Sequence, residues 1–460
     1  MKPLRPLLQI ACVLLSGGVG YCQDPPDAQV ASRMGVYLKP FAETGNLSGT
    51  VLVARKGRVV FRHSYGMANY ELQVPNSPET RFHIASVSKP FTGAAILQLQ
   101  EQRRLSVADP VSRFLPEFPN GGRMTLDNLL THTSGIPDIN DAADYDVFAR
   151  SPHTLPELVA RFAHLPLEFE PGSESRYSNS NDVLLALILE RVTGESYEGY
   201  LRKHIFDPAG MRDSGVDGDA SRLIPSAASG YVPAGLSGYE KAPYVDWSNK
   251  TGSGSLYSTA DDLYRFHRAL ETETLLKSAT RQKYFVDGPE DNRYGWYMFE
   301  RRGHRLMAAK GQGSGFTAEL DRYPDDDVTI ILLTNSSETA SQGPVAGDLA
   351  AIVFGQEASP PPLRPVAIPA SALASYAGRY QYGPDYFLPN ASLTLTANPG
   401  FLDMKIGDHH SPVVPVSHTE FLERYYFGHI AFTTDPSGNV TGLTCRYGSK
   451  TFTARRLQTN

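Results

Sequence analysis

Short β-branched apolar runs mark both ends of the long N-terminal part of the chain, and apolar positions at helical spacing fill the stretch between them. Val51, Leu52 and Val53, then Val59, Val60 and Phe61, flank Lys56 and Gly57, which predicts a β-hairpin over 48–61. From 86 to about 104, Phe91, Ala94, Ala95, Ile96, Leu97 and Leu99 form a broad helical face. Pro90 locates its start, because a proline fits only the first turn of a helix, where amide hydrogens lack acceptors anyway. Ser86 is therefore placed at a helix N-terminus. Residues 105–275 read as mostly helical with many breaks, including a clear helix over 182–192 stopped by Thr193 and Gly194. Strand patterns return over 294–300, 305–309, 316–323 and 328–333, followed by a last helix over 345–353. Strands at both ends with helices between them imply one antiparallel sheet around a helical insert, an α+β fold.

The pattern then changes. Residues 357–369 hold five prolines and read as a linker. Beyond it, short alternating runs over 393–395, 402–406, 430–432, 440–443 and 452–455 are separated by turn clusters such as Asp435, Pro436, Ser437, Gly438 and Asn439. This predicts an all-β sandwich or barrel over 370–460. The expected organisation is a leader over 1–22, an α+β domain over 28–356, the linker, and the β-domain.

Composition narrows the function classes. The 460 residues are 41% hydrophobic and 20% charged, with a net charge of -6 and no basic block, which argues against nucleic acid or membrane surface as partners. Lys2 and Arg5 precede a short apolar run and then small residues, the order of a secretory signal peptide cleaved near Cys22 and Gln23. Bulky Tyr21 argues against lipid anchoring at Cys22. With Cys12 and Cys22 assigned to this leader, Cys445 is alone in the mature chain, so neither a disulfide framework nor a cysteine metal site is expected. An exported protein, periplasmic or secreted, with no stable membrane span is the expectation.

Three motifs can carry chemistry. In Ser86, Val87, Ser88 and Lys89, helical spacing puts Lys89 beside the Ser86 hydroxyl, where a base is needed to activate a weak nucleophile. The helix N-terminus adds amide hydrogens suited to an oxyanion. Taken alone, the same four residues read more simply as a serine cap followed by a solvated lysine. Tyr177, Ser178 and Asn179 lie in a polar loop before the 182–192 helix. A tyrosine there can move protons and an asparagine can bind a substrate amide, or the pair is a loop tyrosine with a capping asparagine. Lys310, followed by Gly311, Gln312, Gly313, Ser314 and Gly315, lies where a strand should enter. It reads as a cation over a backbone that a ligand can approach, or as a glycine-rich turn.

In this order, on these elements, the motifs resemble those of the serine β-lactamase and D-alanyl-D-alanine carboxypeptidase superfamily, closest to its class C β-lactamase-related branch with esterases and D-aminopeptidases. The resemblance extends over about 35–355. It includes Phe82 through Lys89, Leu129 through Pro137 (with Thr131, His132, Thr133, Ser134 and Gly135), and Phe169 through Gly172 leading into Tyr177. It implies a β-lactamase/transpeptidase-like fold. It also implies Ser86 as acyl-enzyme nucleophile and one oxyanion donor, with a strand amide near Ser314 or Gly315 as the other. Lys89 and Tyr177 share proton transfer, Asn179 orients substrate, and Lys310 holds a substrate carboxylate. His132 reads as a packed turn residue. One departure stands out: the superfamily's third motif is Lys or His, any residue, then Gly, whereas Gly311 follows Lys310 directly. That tilts the expected chemistry away from β-lactams. Tyr376, Ala377, Gly378, Arg379 and Tyr380 resemble the start of a lipocalin-like β-domain.

Other readings fit less well. The chain has no G-x-S-x-G elbow and no H-E-x-x-H, and its one adjacent histidine pair, His409 and His410, reads as a β-domain loop. A non-catalytic module of the same fold, sensing cell-wall peptide, is the competitor from another class. The expected activity is hydrolysis of an acyl substrate, ester, D-amino-acid peptide or β-lactam, with water attack assisted by Tyr177 and with no metal or organic cofactor.

Overall fold

A computed structural model describes residues 25–286, 292–336, 342–407, 409–448 and 450–458. The leader and Cys22 lie outside the described residues. The main sheet has seven antiparallel strands. Two come from the N-terminal side, β1 (Gly49–Arg55) and β2 (Arg58–Tyr65). Five follow the helical insert: β3 (Asn292–Arg293), β4 (Trp296–Arg301), β5 (His304–Gly313), β6 (Phe316–Tyr323) and β7 (Val328–Thr334). Their order across the sheet is β3-β4-β5-β6-β7-β1-β2, so β1 pairs with β7, Gly49 opposite Thr334.

Both faces of this sheet are covered, which is why β1 and β7 are apolar at successive positions. Leu52, Ala309, Leu320, Ile331 and Leu333 face the helical region, including α2 (Lys89–Glu101) and α3 (Asn179–Thr193). Val51, Val53, Leu306, Ile330 and Leu332 face α1 (Asp27–Glu43) and α4 (Gln342–Val353) on the other side. Helix α1 is not among the expected elements, although Val30, Met34, Tyr37, Leu38 and Phe41 repeat at helical spacing and are all buried.

The proline-rich segment is not a free tether. Leu363 is buried in the core beneath α1, and the Val366 amide donates to the Pro415 carbonyl (2.8 Å). The short helix α5 (Ala370–Tyr376) leads into a closed antiparallel barrel of eight strands. These are β8 (Gly378–Tyr382), β9 (Ser392–Asn398), β10 (Phe401–Ile406), β11 (His409–Pro415), β12 (Glu420–Glu423), β13 (Gly428–Thr434), β14 (Val440–Tyr447) and β15 (Lys450–Arg456). His409 and His410 therefore open a strand rather than sit in a loop; both are exposed, so the strand there has no apolar signal to betray it. The barrel packs Val414, Val416, Leu422 and Phe427 into the same core as α1 and α4.

Candidate active site

Ser86 lies on a single 3₁₀ turn, Ala85–Ser88, that runs directly into α2. Pro90 occupies the first turn of α2, as expected. Ala85, just before the serine, is held at φ 45°, a left-handed conformation that costs a residue with a Cβ about 1 kcal/mol or more. Such strain persists only where surrounding packing enforces it. Lys89 follows one turn later and is 2% exposed. Its Nζ donates to Ser86 Oγ (3.0 Å), Asn179 Oδ1 (2.8 Å) and the Ser253 carbonyl (2.8 Å), matching the three donors of an ammonium.

Tyr177 closes the cluster. Its hydroxyl shares a hydrogen bond with Ser86 Oγ at 2.7 Å and donates to Asn179 Oδ1 at 3.4 Å. The Lys89 ammonium also lies 4.8 Å from the centre of the Tyr177 ring. Two residues, one of them 91 positions away in sequence, thus bond one serine oxygen, and Asn179 bonds both of them. Asn179, the first residue of α3, is fixed from its other side, donating through Nδ2 to Asp138 Oδ2 (2.8 Å). Beneath Tyr177 lies His132, ring centres 4.8 Å apart. Its Nδ1 accepts from the Ser178 amide (3.3 Å) and bonds Asn181 Nδ2 (3.1 Å), and burial, helped by the Lys89 charge, pushes its pKa down to about 3. A neutral imidazole that spends its ring nitrogen on the turn is a support for Tyr177 rather than a base. Asp182, one turn into α3, is pushed up to about 7 by burial, against the opposing pull of Lys89.

Strand β5 forms the facing wall. A Cβ on Gly311 would lie 2.2 Å from the Ile84 carbonyl and 2.9 Å from the Ser86 amide nitrogen, so only glycine lets the strand approach the nucleophile this closely. Gly313 likewise faces Ala85 and the Trp247 ring. Ser314 and Gly315 lie elsewhere. They form the turn between β5 and β6, and Gly315 packs on Gly230, so the backbone against Ser86 is Gly311–Gly313, upstream of the expected pair. The motif's spacing identifies a glycine-rich strand end but not which glycine meets the serine. Lys310 is opposite Glu319 across the strands and forms an ion pair with its buried carboxylate (3.2 Å). It lines the cavity without a bond to Ser86, Lys89 or Tyr177, because neighbours on a strand face opposite ways and Gly311 has the side facing Ser86.

That cavity, about 570 Å³, also reveals residues absent from the expected site: Asn140, Trp247, Lys250, Ser253 and Tyr297. Ser253 contributes through its carbonyl, which no side-chain motif announces. The turn that carries it folds back on Lys250, whose carbonyl accepts from the Ser253 (2.9 Å) and Gly254 (2.7 Å) amides. Gly252, at φ 85°, packs within 2.3 Å of the Asp182 carbonyl by the position of its missing Cβ. The sequence signal is the run from Thr251 to Ser255 of small residues ahead of a strand, which alone also reads as a loop.

Residues 30–353 match the family model described as "Beta-lactamase". A penicillin-binding protein from Bacillus halodurans of known structure is 30% identical, with a TM-score of 0.59 over 69% of this chain and 98% of that one. Esterase EstB of Burkholderia gladioli is 28% identical over 394 residues, 72% of this chain and 96% of that protein. The octameric penicillin-binding protein homologue from Pyrococcus abyssi, at 22% identity and a TM-score of 0.62, covers 92% of this chain and 99% of its own, and so shares the fold beyond the matched segment. The serine-centred cluster is the chemical counterpart of this match, and the chain belongs to the β-lactamase family of serine hydrolases.

Proposed function

We propose that the protein is an exported hydrolase that cleaves small carboxylic esters or D-amino-acid amides and peptides, in preference to β-lactams, through an acyl-enzyme on Ser86. The observation that carries this is the placement of Ser86 Oγ 2.7 Å from the Tyr177 hydroxyl and 3.0 Å from Lys89 Nζ. A proton leaving Ser86 has two acceptors in contact, one on each side, when either is unprotonated. Oγ then attacks the substrate carbonyl. The resulting oxyanion is held by the Ser86 amide and by a β5 amide, for which the close approach of Gly311 to Ser86 favours the 311–313 segment over Ser314 or Gly315. Tyr177 returns the proton to the leaving group, and a water, deprotonated through Tyr177, releases the acid and restores Ser86. Asn179 fixes Lys89 from one side and Asp138 from the other, so its remaining role toward substrate is orientation.

The ion pair of Lys310 with Glu319 supports the tilt away from β-lactams, since that ammonium is already matched. The charged-then-apolar leader supports export; N-terminal sequencing of protein secreted by a bacterial host, beginning near Gln23, tests it. Hydrolysis of p-nitrophenyl butyrate by the wild type and by Ser86→Ala tests the chemistry. Turnover lost in the variant with its fold intact by circular dichroism is the expected result; equal turnover in both would remove Ser86 from the mechanism.

A further inference from the structure

Two lysines line the Ser86 cavity, and they are not equivalent. Lys310 faces Glu319 at 3.2 Å. The direct partners of Lys250 are neutral: Nζ donates to Asn140 Oδ1 (3.1 Å) and sits 4.5 Å from the centre of the Tyr145 ring. No carboxylate among the described residues lies within 4 Å of it. The charged groups that act on it do so through space, Asp138 and Asp146 favouring its charge and Lys89 opposing it. Trp247, three residues earlier, shares its wall of the cavity. A cation in a half-buried, aromatic setting without a counter-ion is an incomplete pair, and an anion arriving in the cavity completes it.

We propose that Lys250 binds a carboxylate carried by the acyl substrate, making the 247–255 segment, and not Lys310 on β5, the determinant of acidic-substrate specificity. This rests on the Ser86 hydrolase reading. The chemistry selected is a substrate with a free carboxylate on one side of the scissile bond. Burial pushes the Lys250 ammonium down to about 8, so the preference for acidic substrates declines as pH rises through that value. A bound carboxylate holds the proton on and moves the decline upward.

The test uses two pairs of chromogenic esters, each a free acid and its methyl ester, with the carboxylate in the acyl part of one pair and in the leaving group of the other. In Lys250→Gln, kcat/KM for one free acid falls by roughly tenfold or more, through KM, while the methyl esters change by less than about twofold. Lys250→Arg retains the preference, and the wild-type preference fades above about pH 8 while that of the Gln variant is flat. Equal losses on acids and methyl esters, or no wild-type preference for either acid, overturn the proposal. Hydrolysis of none of the four esters counts against the hydrolase reading instead, and Lys250 is then judged by calorimetry on Ser86→Ala. There, N-acetyl-D-alanine must bind more tightly than N-acetyl-D-alaninamide, and the difference must vanish with Lys250→Gln. Equal binding of acid and amide overturns the assignment.

Discussion

Tyr177 is 36% exposed, whereas Lys89 is 2% exposed, and the two are therefore separable by mutation. Tyr177→Phe removes one hydroxyl from an open position: kcat should fall by about 10²–10⁴-fold with the melting temperature nearly unchanged, read by ester kinetics and thermal unfolding. Lys89→Met leaves the Ser253 carbonyl without its donor and Asn179 Oδ1 with only the 3.4 Å bond from Tyr177, and should lose stability as well as activity. Asp182 makes a pH prediction. Its folded pKa is raised from 3.8 to about 7, so between those values the folded state holds the proton that the unfolded state releases. Stability drawn from this group is therefore present below pH 3.8, is lost as pH rises toward 7, and is absent above it. Urea unfolding of wild type and Asp182→Asn at pH 5 and pH 8 should show the gap moving toward the variant by about 2–4 kcal/mol at the higher pH. No such shift would mean that Asp182 is ionised at pH 5 as well.

At the scale of elements, the site depends on how closely β5 can lie against the start of α2. Gly311→Ala places a methyl where the Ile84 carbonyl and Ser86 amide already are. The strand must retreat, and we expect about 1–3 kcal/mol of lost stability with a loss of kcat/KM larger than that of stability, measured by denaturation and ester turnover on the same preparation. Much of this architecture was legible beforehand. The 328–333 strand announced itself by the continuous apolar run of a strand buried on both faces, the 316–323 strand by the alternation of Phe316, Ala318 and Leu320 with polar residues, and Pro90 located the start of α2 through its missing amide hydrogen. What was not legible is what depends on backbone groups and close approach: the Ser253 carbonyl under Lys89, the choice of Gly311–Gly313 over Ser314 and Gly315, and the ion pair that occupies Lys310. Lys250 was missed because a lysine between Asn249 and Thr251 looks like any loop lysine until the fold gives it no carboxylate.

For the molecule as a whole, Arg424 ties the barrel to the hydrolase body. It is fully buried, and its guanidinium donates to the carbonyls of Gly45, Ala234, Gly235 and Gly238 and to Asn46 Oδ1. Its other face lies near the Tyr239 ring, 5.9 Å from the centre. Replacing it by Met removes the shared donor from several part-buried carbonyls and from Asn46 at once, which should cost about 2–4 kcal/mol and make the 357–369 segment newly sensitive to protease. Limited proteolysis of Arg424→Met beside the wild type checks this, and identical cleavage patterns would show that the apolar contacts alone hold the barrel in place.

The pairing of Gly49–Arg55 with Val328–Thr334 also sets a schedule for the molecule's birth. A ribosome adding about 5–20 residues each second needs roughly 15–55 s to travel from one strand to its neighbour. Throughout that interval the first apolar strand has emerged paired on its β2 side alone, and contacts as distant in sequence as its pairing with β7 form slowly even once both are present. Nascent chains stopped short of residue 328 should therefore bind holdase chaperones and aggregate without them, and chains released just beyond 334 should begin to resist protease.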